Sequence, residues 1–264
     1  MSPASVEFSE RVALITGAGA ADGIGFASAR ALASVGTRVV ISSTTPRIFE
    51  RVEELRAAGA DARGLVGDLT DPSTSRALVE LAQDSWGRLD VVVHNAGMTS
   101  LSDPAFSTRA FEEISAAQWH AGIARNLDTA FHVAEASLSA LRAHRTGRMV
   151  FVASVTGPLM AMHDESIYAA AKAGLVGLAR GLALDYARHG ITVNAVAPGW
   201  IATGSQTPHE ARQGLASPVG RSGTADEVAA VIAFLASPSA SYLTGQCIVV
   251  DGANSIAEER GSFE

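Results

Sequence analysis

Seven short runs of apolar, largely β-branched residues recur along the 264-residue chain, with alanine-rich stretches between them. They cover residues 12–15, 38–41, 62–66, 89–94, 148–153, 191–196 and 246–250. The runs lack polar alternation, as expected of strands covered on both faces. Residues 24–35 and 48–58 read as the first two intervening helices. A strand that must pair parallel with the next needs a crossover, and crossovers are right-handed. The pattern therefore predicts a doubly wound α/β fold, a parallel sheet of about seven strands with helices on both faces. No linker divides the chain, so residues 1–264 read as one domain, and the Pro/Ser-rich stretch 99–108 reads as a long loop over the sheet edge.

Composition narrows the function. With 47% hydrophobic and 18% charged residues the chain is globular in character. A net charge of -7 argues against nucleic acid as a partner, since phosphate binding needs a basic surface. The single cysteine, Cys247, lies in an apolar run. It can form no internal disulfide, offers no metal-ligand spacing, and reads as a buried small hydrophobe. The apolar stretch 168–184 is interrupted by Lys172 and Arg180, against a membrane span. The start has no basic region leading into an apolar one, so a cytoplasmic protein is expected.

The first strand runs into Thr16-Gly17-Ala18-Gly19-Ala20-Ala21-Asp22-Gly23-Ile24-Gly25, and a helix follows. Glycines there let the backbone approach a pyrophosphate, and the helix N-terminus supplies free N–H groups and a favourable dipole end. About 20 residues on, a carboxylate would bind the ribose hydroxyl of NAD, whereas an arginine would accept the extra phosphate of NADP. This chain has Ser42-Ser43-Thr44-Thr45-Pro46-Arg47 there. Hydroxyls and a guanidinium suit a phosphate dianion, so NADP(H) is favoured over NAD(H). Arg47 also reads as a solvated residue of a first helical turn. Asp68, before Leu69, ends the third strand, where it can accept from an adenine amino group or cap the next helix. Asp71 before Pro72 is the better cap. Asn95-Ala96-Gly97 ends the fourth strand with small residues that admit a cofactor, and Asn95 can tie neighbouring strands together.

Tyr168 and Lys172 stand four residues apart, on one helical face. A free phenol titrates near about 10. An adjacent ammonium is expected to lower that value, fitting the phenol for proton exchange with a carbonyl or alcohol oxygen. Ser154 follows the fifth strand, at the edge where open parallel sheets bind ligands, and can hold the substrate oxygen.

Taken together, Thr16-Gly17 with Gly23-Ile24-Gly25, Asp68, Asn95-Ala96-Gly97, Asn126, Ser154, Tyr168, Lys172, Pro198-Gly199, residues 243–246 and residues 250–252 resemble the short-chain dehydrogenase/reductase family. The resemblance is closest to its compact type, which includes 3-oxoacyl-thioester reductases, and it covers roughly residues 8–252. It implies a Rossmann-type sheet and a homotetramer. Tyr168 would be the general acid/base, Lys172 its pKa modulator and ribose binder, and Ser154 the group that orients the substrate oxygen. Asn126 would hold a water relaying protons from Lys172. Pro198, Gly199 and the Ile201 backbone would border the nicotinamide, and Thr203 would meet the phosphates. Two departures stand out. Five residues separate Gly17 from Gly23 where the family has three. The added Asp22 is expected to turn away or to cap the helix. His94 takes the place of a usual asparagine and reads as a structural residue.

The substrate walls are expected in residues 98–106, 155–163 and 200–217, which include Met160, Met162, Phe106 and Trp200. Residues 204–209 read as a mobile lid. No evident cationic clamp lies there, so a small neutral ketone, aldehyde or alcohol is the expected substrate. A 3-oxoacyl-carrier-protein reductase is the alternative, with Arg142, Arg145 and Arg180 as a basic patch for an acidic carrier. A non-catalytic NADP(H)-binding scaffold would lack the Tyr, Lys or Ser that this chain retains.

Overall fold

A computed structural model of the chain describes residues 10–97 and 109–258. The expected loop at 99–108 and the pocket wall at 98–106 therefore fall largely or wholly outside the described residues. The elements in chain order are β1 (Val12–Ile15), α1 (Ile24–Ser34), β2 (Arg38–Ser43), α2 (Ile48–Ala57), β3 (Ala62–Val66), α3 (Pro72–Trp86) and β4 (Val91–His94). After them come α4 (Ala116–Ile123), α5 (Thr129–Ala143), β5 (Arg148–Val152), α6 (Ser166–Tyr186) and β6 (Thr192–Pro198). The chain continues through β7 (Ile201–Ala202), α7 (Pro208–Leu215), β8 (Gly223–Thr224), α8 (Ala225–Ala236) and β9 (Cys247–Val250).

The main sheet is parallel with order β3-β2-β1-β4-β5-β6-β9. The order reverses at β1 and β4, which opens a crevice at the carboxyl ends of those strands. Alternate residues of each strand feed opposite cores. Val12 and Leu14 pack with α3, α5 and α6, while Ala13 and Ile15 pack with α1, α2 and α8. Both faces being dry explains the continuous apolar runs. Asp71 caps α3 by accepting from Ser73 N at 2.8 Å, with Pro72 as first helical residue.

The structure moves several edges. β2 continues to Ser43, and β6 reaches Pro198, because neighbouring strands keep offering ladder partners. Leu89 and Asp90 stay outside β4, the Asp90 side chain being turned inward as an anchor. A separate two-stranded ribbon, β7 with β8, pairs Ile201 with Gly223 and Ala202 with Thr224. Two-residue strands are too short to show a period, so the sequence pattern misses them. α6 is long and apolar enough to cross a membrane, but it packs Leu175, Val176, Ala179 and Ala183 into the sheet and buries Lys172.

Candidate active site

The crevice starts at Thr16, directly after β1. Its hydroxyl receives the backbone N–H groups of Asn95 and Ala96, each at 3.1 Å, and so binds β1 to the end of β4. Asn95 Nδ2 donates to the Gly17 carbonyl at 2.9 Å, the strand tie anticipated for it. Gly17 has φ +67°, and a Cβ on Gly25 would stand 2.5 Å from the Gly17 carbonyl oxygen. Only glycine permits this close crossing of loop and helix. His94 lies wholly buried between the hydroxyls of Thr16 (3.2 Å) and Thr129 (3.3 Å). Burial, and secondarily the nearby Lys172 charge, push its pKa down to about 3. It is a neutral spacer, as its position suggested.

Gly19 is where the residues expected to choose the nucleotide, Ser43 and Arg47, meet. A Cβ there would lie 2.7 Å from Ser43 Cβ and 2.8 Å from Arg47 Nε. The bare glycine thus lets guanidinium and hydroxyl close over the loop. Ser43 Oγ donates to the Thr45 carbonyl at 2.7 Å, while Thr44 is exposed. Asp68 accepts from both Thr70 N and Thr70 Oγ1, at 2.9 and 2.8 Å, and leaves capping to Asp71. Leu69 is buried, and its carbonyl meets His132 Nδ1 at 3.0 Å.

Of the two outcomes expected for Asp22, capping α1 is the one it does not take. α1 has Gly23 as its N-cap and no side-chain cap. The Asp22 carboxylate instead lies across Gly204, where a Cβ would meet Oδ2 at 2.8 Å. The longer loop carries it past the helix end to the chain beyond β7. That chain was expected as a lid. It forms a turn with Gln206 N on the Thr203 carbonyl at 2.9 Å, then α7, started by a Thr207–Glu210 capping box and Pro208.

The chemically active groups gather at the carboxyl ends of β4, β5 and β6. The Ser154 hydroxyl acts on the Tyr168 phenol, favouring its ionised form, and the Ser154 oxygen accepts from Thr156 N at 3.1 Å. Lys172 is fully buried and donates to the Gly97 and Val152 carbonyls at 3.2 and 3.0 Å. Its ammonium stands 5.5 Å from the Tyr168 ring centre. Gly157, at φ +107°, lets the loop after β5 lie directly on α6, since a Cβ there would come within 2.3 Å of the Ala169 carbonyl oxygen. That contact sets Ser154 and Tyr168 on one side of the crevice. Asn126 sits in a π-helical turn, Ala124–Asp128, between α4 and α5. Wide turns of this kind favour functional positions. Its Nδ2 donates to the Gly122 carbonyl at 3.2 Å, whereas its buried Oδ1 has no protein partner. Gly97 links the two groups. Its carbonyl holds Lys172, and a Cβ on it would lie 3.2 Å from Asn126 Oδ1.

On balance, the protein's own groups raise the phenol pKa. Burial pushes Tyr168 up to about 12; the Ser154 hydroxyl opposes this, and the charges of Glu165 and Glu210 add to it. Lys172, itself pulled down to about 8 by burial, spends its donors on two carbonyls. Sequence spacing put Tyr168 and Lys172 on one face but could not show these competing bonds. Nor could it show that the charges of Glu165 and Glu210 act on the phenol, because one leads into α6 and the other lies in α7. The Glu165 carboxyl is pushed up by burial and by Glu210 and Asp164.

The glycine cradle, the orphaned Asn126 oxygen and the Ser-Tyr-Lys cluster fit a nicotinamide dinucleotide, which supplies or accepts hydride when bound. The family model described as "Enoyl-(Acyl carrier protein) reductase" matches residues 17–253. The 3-oxoacyl-[acyl-carrier-protein] reductase FabG of Escherichia coli is 36% identical, over 94% of this chain and 98% of its own. Cyclohexanol dehydrogenase of an Acinetobacter species is 38% identical, over 94% and 96%. The crystal structure of a dehydrogenase/reductase from Sinorhizobium meliloti superposes with a TM-score of 0.87 at 28% identity, covering 96% of this chain and 99% of that one.

The chain belongs to the short-chain dehydrogenase/reductase family. It is an NAD(P)-dependent oxidoreductase with the Rossmann-type sheet of that family. Within this short-chain dehydrogenase/reductase, Pro198 and Gly199 close the crevice from β6. Val155 N donates to the Pro198 carbonyl, and Gly199 N to the Val250 carbonyl, each at 3.0 Å. Ile201 and Thr203 follow on the same side, with Thr203 and Ser205 hydroxyls 3.0 Å apart. The expected basic patch does not gather here. Arg142 lies in the last turn of α5 and Arg145 in the turn before β5, at the opposite ends of the strands from the crevice. Arg180 lies two turns beyond Lys172 along α6, near Cys247. Cys247 is half-buried, not fully buried as expected.

Proposed function

We propose that this enzyme transfers hydride between NADP(H) and a small neutral ketone or aldehyde, or the matching secondary alcohol. The observation that carries the reading is Lys172, buried at the carboxyl ends of the strands on the Gly97 and Val152 carbonyls, with its ammonium 5.5 Å from the Tyr168 ring and Ser154 acting on the phenol. Tyr168 gives its proton to the carbonyl oxygen as that oxygen gains charge, and Ser154 holds the same oxygen in line. Lys172 holds the ribose and supports the phenolate left behind. Asn126, through its free buried oxygen, positions a water that returns a proton toward Lys172. Gly17, Gly19, Gly23 and Ile24 receive the pyrophosphate with Thr203, Asp68 and Leu69 border the adenine, and Asn95, Ala96 and Gly97 pass beneath the cofactor. Ile201, Pro198 and Gly199 border the nicotinamide. The acidic charge and single cysteine suit a reducing cytoplasmic setting.

Two features support the finer choices. Ser43 and Arg47 converge on Gly19 with no carboxylate among them, which suits the NADP phosphate. The charges of Glu165 and Glu210 act on the phenol, and Arg142 lies in the last turn of α5 at the far ends of the strands, which disfavours an acidic acyl carrier. The test is consumption of NADPH and NADH by purified protein with neutral ketones, aldehydes and an acetoacetyl thioester. NADPH-driven ketone reduction is expected, and faster thioester reduction would move the enzyme to the acyl-carrier class. Arg47→Ala should weaken NADPH binding roughly tenfold and leave NADH unchanged, as for loss of one charge-assisted contact. Equal losses for both cofactors would remove Arg47 from the phosphate.

The same proposal makes the enzyme a homotetramer. On α5 and α6, Phe131 and Leu184 are 56% and 83% exposed. Gly177 and Gly181 on α6 face open space, a smooth strip against which a partner's helix can pack. Light scattering on the eluted protein should return four copies, and a monomer would overturn it.

A further inference from the structure

We propose that Asp22 sets how tightly, and for how long, the enzyme holds its cofactor, by placing a fixed negative charge at the border of the pyrophosphate site. This rests on the dinucleotide reading above, though not on the choice between NADP and NAD.

The two residues that lengthen the glycine loop fold it into a tight turn, with Gly23 N on the Ala20 carbonyl at 3.2 Å. That turn throws Asp22 sideways. Its carboxylate neither caps α1 nor leaves the protein; it lies on Gly204, with Oδ2 2.8 Å and Oδ1 3.1 Å from where a Cβ would stand. Gly204 is inside the turn that begins at Thr203. Asp22 thus bridges the two chain segments that flank a pyrophosphate, the N-terminal end of α1 on one side and the Thr203 turn on the other. The loop carries opposite charges at its two ends, since Arg47 lies over Gly19 and Asp22 over Gly204. The first attracts the adenosine end of the cofactor. The second repels its pyrophosphate, an unfavourable term that an uncharged isostere would remove. Asp22 is exposed, so water and salt screen the repulsion without abolishing it. It therefore shapes affinity and release without contributing to hydride or proton transfer.

The test is fluorescence titration of NADPH and NADH into the intact wild-type, Asp22→Asn and Asp226→Asn proteins at low and high salt, with dissociation followed by stopped flow. Asp226 is an exposed partner of Arg30 at 2.8 Å and controls for net charge alone. Asp22→Asn should tighten both cofactors by on the order of three- to tenfold at low salt, mostly through slower dissociation, and the gain should shrink at high salt. Asp226→Asn should change neither. An unchanged or weaker affinity in Asp22→Asn, or an equal gain in Asp226→Asn, overturns the proposal. A wild-type preference for NADH would sink the NADP reading and leave this one standing, because both cofactors carry the pyrophosphate. A wild type that binds neither would overturn both.

Discussion

Tyr168→Phe is expected to cut turnover by about 10³-fold, or about 4 kcal/mol of transition-state stabilisation, with cofactor binding unchanged. The substitution removes one oxygen. Lys172 keeps its bonds to the Gly97 and Val152 carbonyls, so the cofactor floor stays in place. What goes is the proton that the carbonyl oxygen needs as hydride arrives, and the group that Ser154 aligns. The pH dependence has a definite sign. Burial holds the Tyr168 pKa at about 12, so near neutrality the phenol is protonated and ready to donate. Carbonyl reduction should then be flat from about pH 6 to about pH 8, whereas alcohol oxidation, which needs the phenolate, should climb steadily with pH. Steady-state rates in both directions, with a separate cofactor titration, make the measurement. Turnover retained in Tyr168→Phe, or oxidation that falls with rising pH, would remove Tyr168 from the proton-transfer role.

Asp90→Asn is expected to be the most damaging change away from the crevice, by about 3–5 kcal/mol. Asp90 sits just before β4, its side chain fully buried, and accepts from Val12 N at 2.9 Å. It also takes both arms of Arg88, at 2.8 and 2.7 Å. Nearby, Arg11 spans the Ala236 and Thr146 carbonyls at 3.0 and 2.6 Å. Arg148 lies buried close by, its pKa lowered to about 10 by burial and then by Arg11. Burial pulls Arg11 down as well, and Asp90 is what offsets it. Without that carboxylate, buried guanidiniums crowd one end of the central strands with carbonyl dipoles alone to balance them. Against a total stability of about 5–15 kcal/mol the loss is large. Thermal melting should drop by about 6–20 °C. The folded fraction should keep its kcat, because this cluster and the crevice occupy opposite ends of the strands. A melting point within about 2 °C of wild type would show that the arginines are balanced without Asp90.

Much of this architecture is visible in the amino-acid order. Val12-Ala13-Leu14-Ile15 can only be a strand with two dry faces, and seven such runs between helical stretches leave few arrangements besides a doubly wound sheet. Gly17, Gly25 and the Tyr168/Lys172 pair are equally legible, because a loop crossing and a shared helical face are local consequences of residue type and spacing. β7 and β8 are not legible, since a two-residue strand has no period and exists only because its partner arrives from 22 residues away. The phenol's electrostatics are hidden for a related reason. The spacing promised a lowered pKa, but the balance depends on burial, on Lys172 bonding to β4 and β5, and on Glu165 and Glu210 arriving from separate segments.

The sequence by itself therefore determined the sheet, the glycine loop and the placing of Tyr168 and Lys172 on one helical face, all of which follow from short-range geometry. Tertiary structure alone decided where Asp22 points, which carboxylate charges act on Tyr168, and that Arg142 and Arg145 lie at the far ends of the strands. Those are distances between residues remote in the chain, and electrostatic energy depends on distance in space and on burial, neither of which sequence separation encodes.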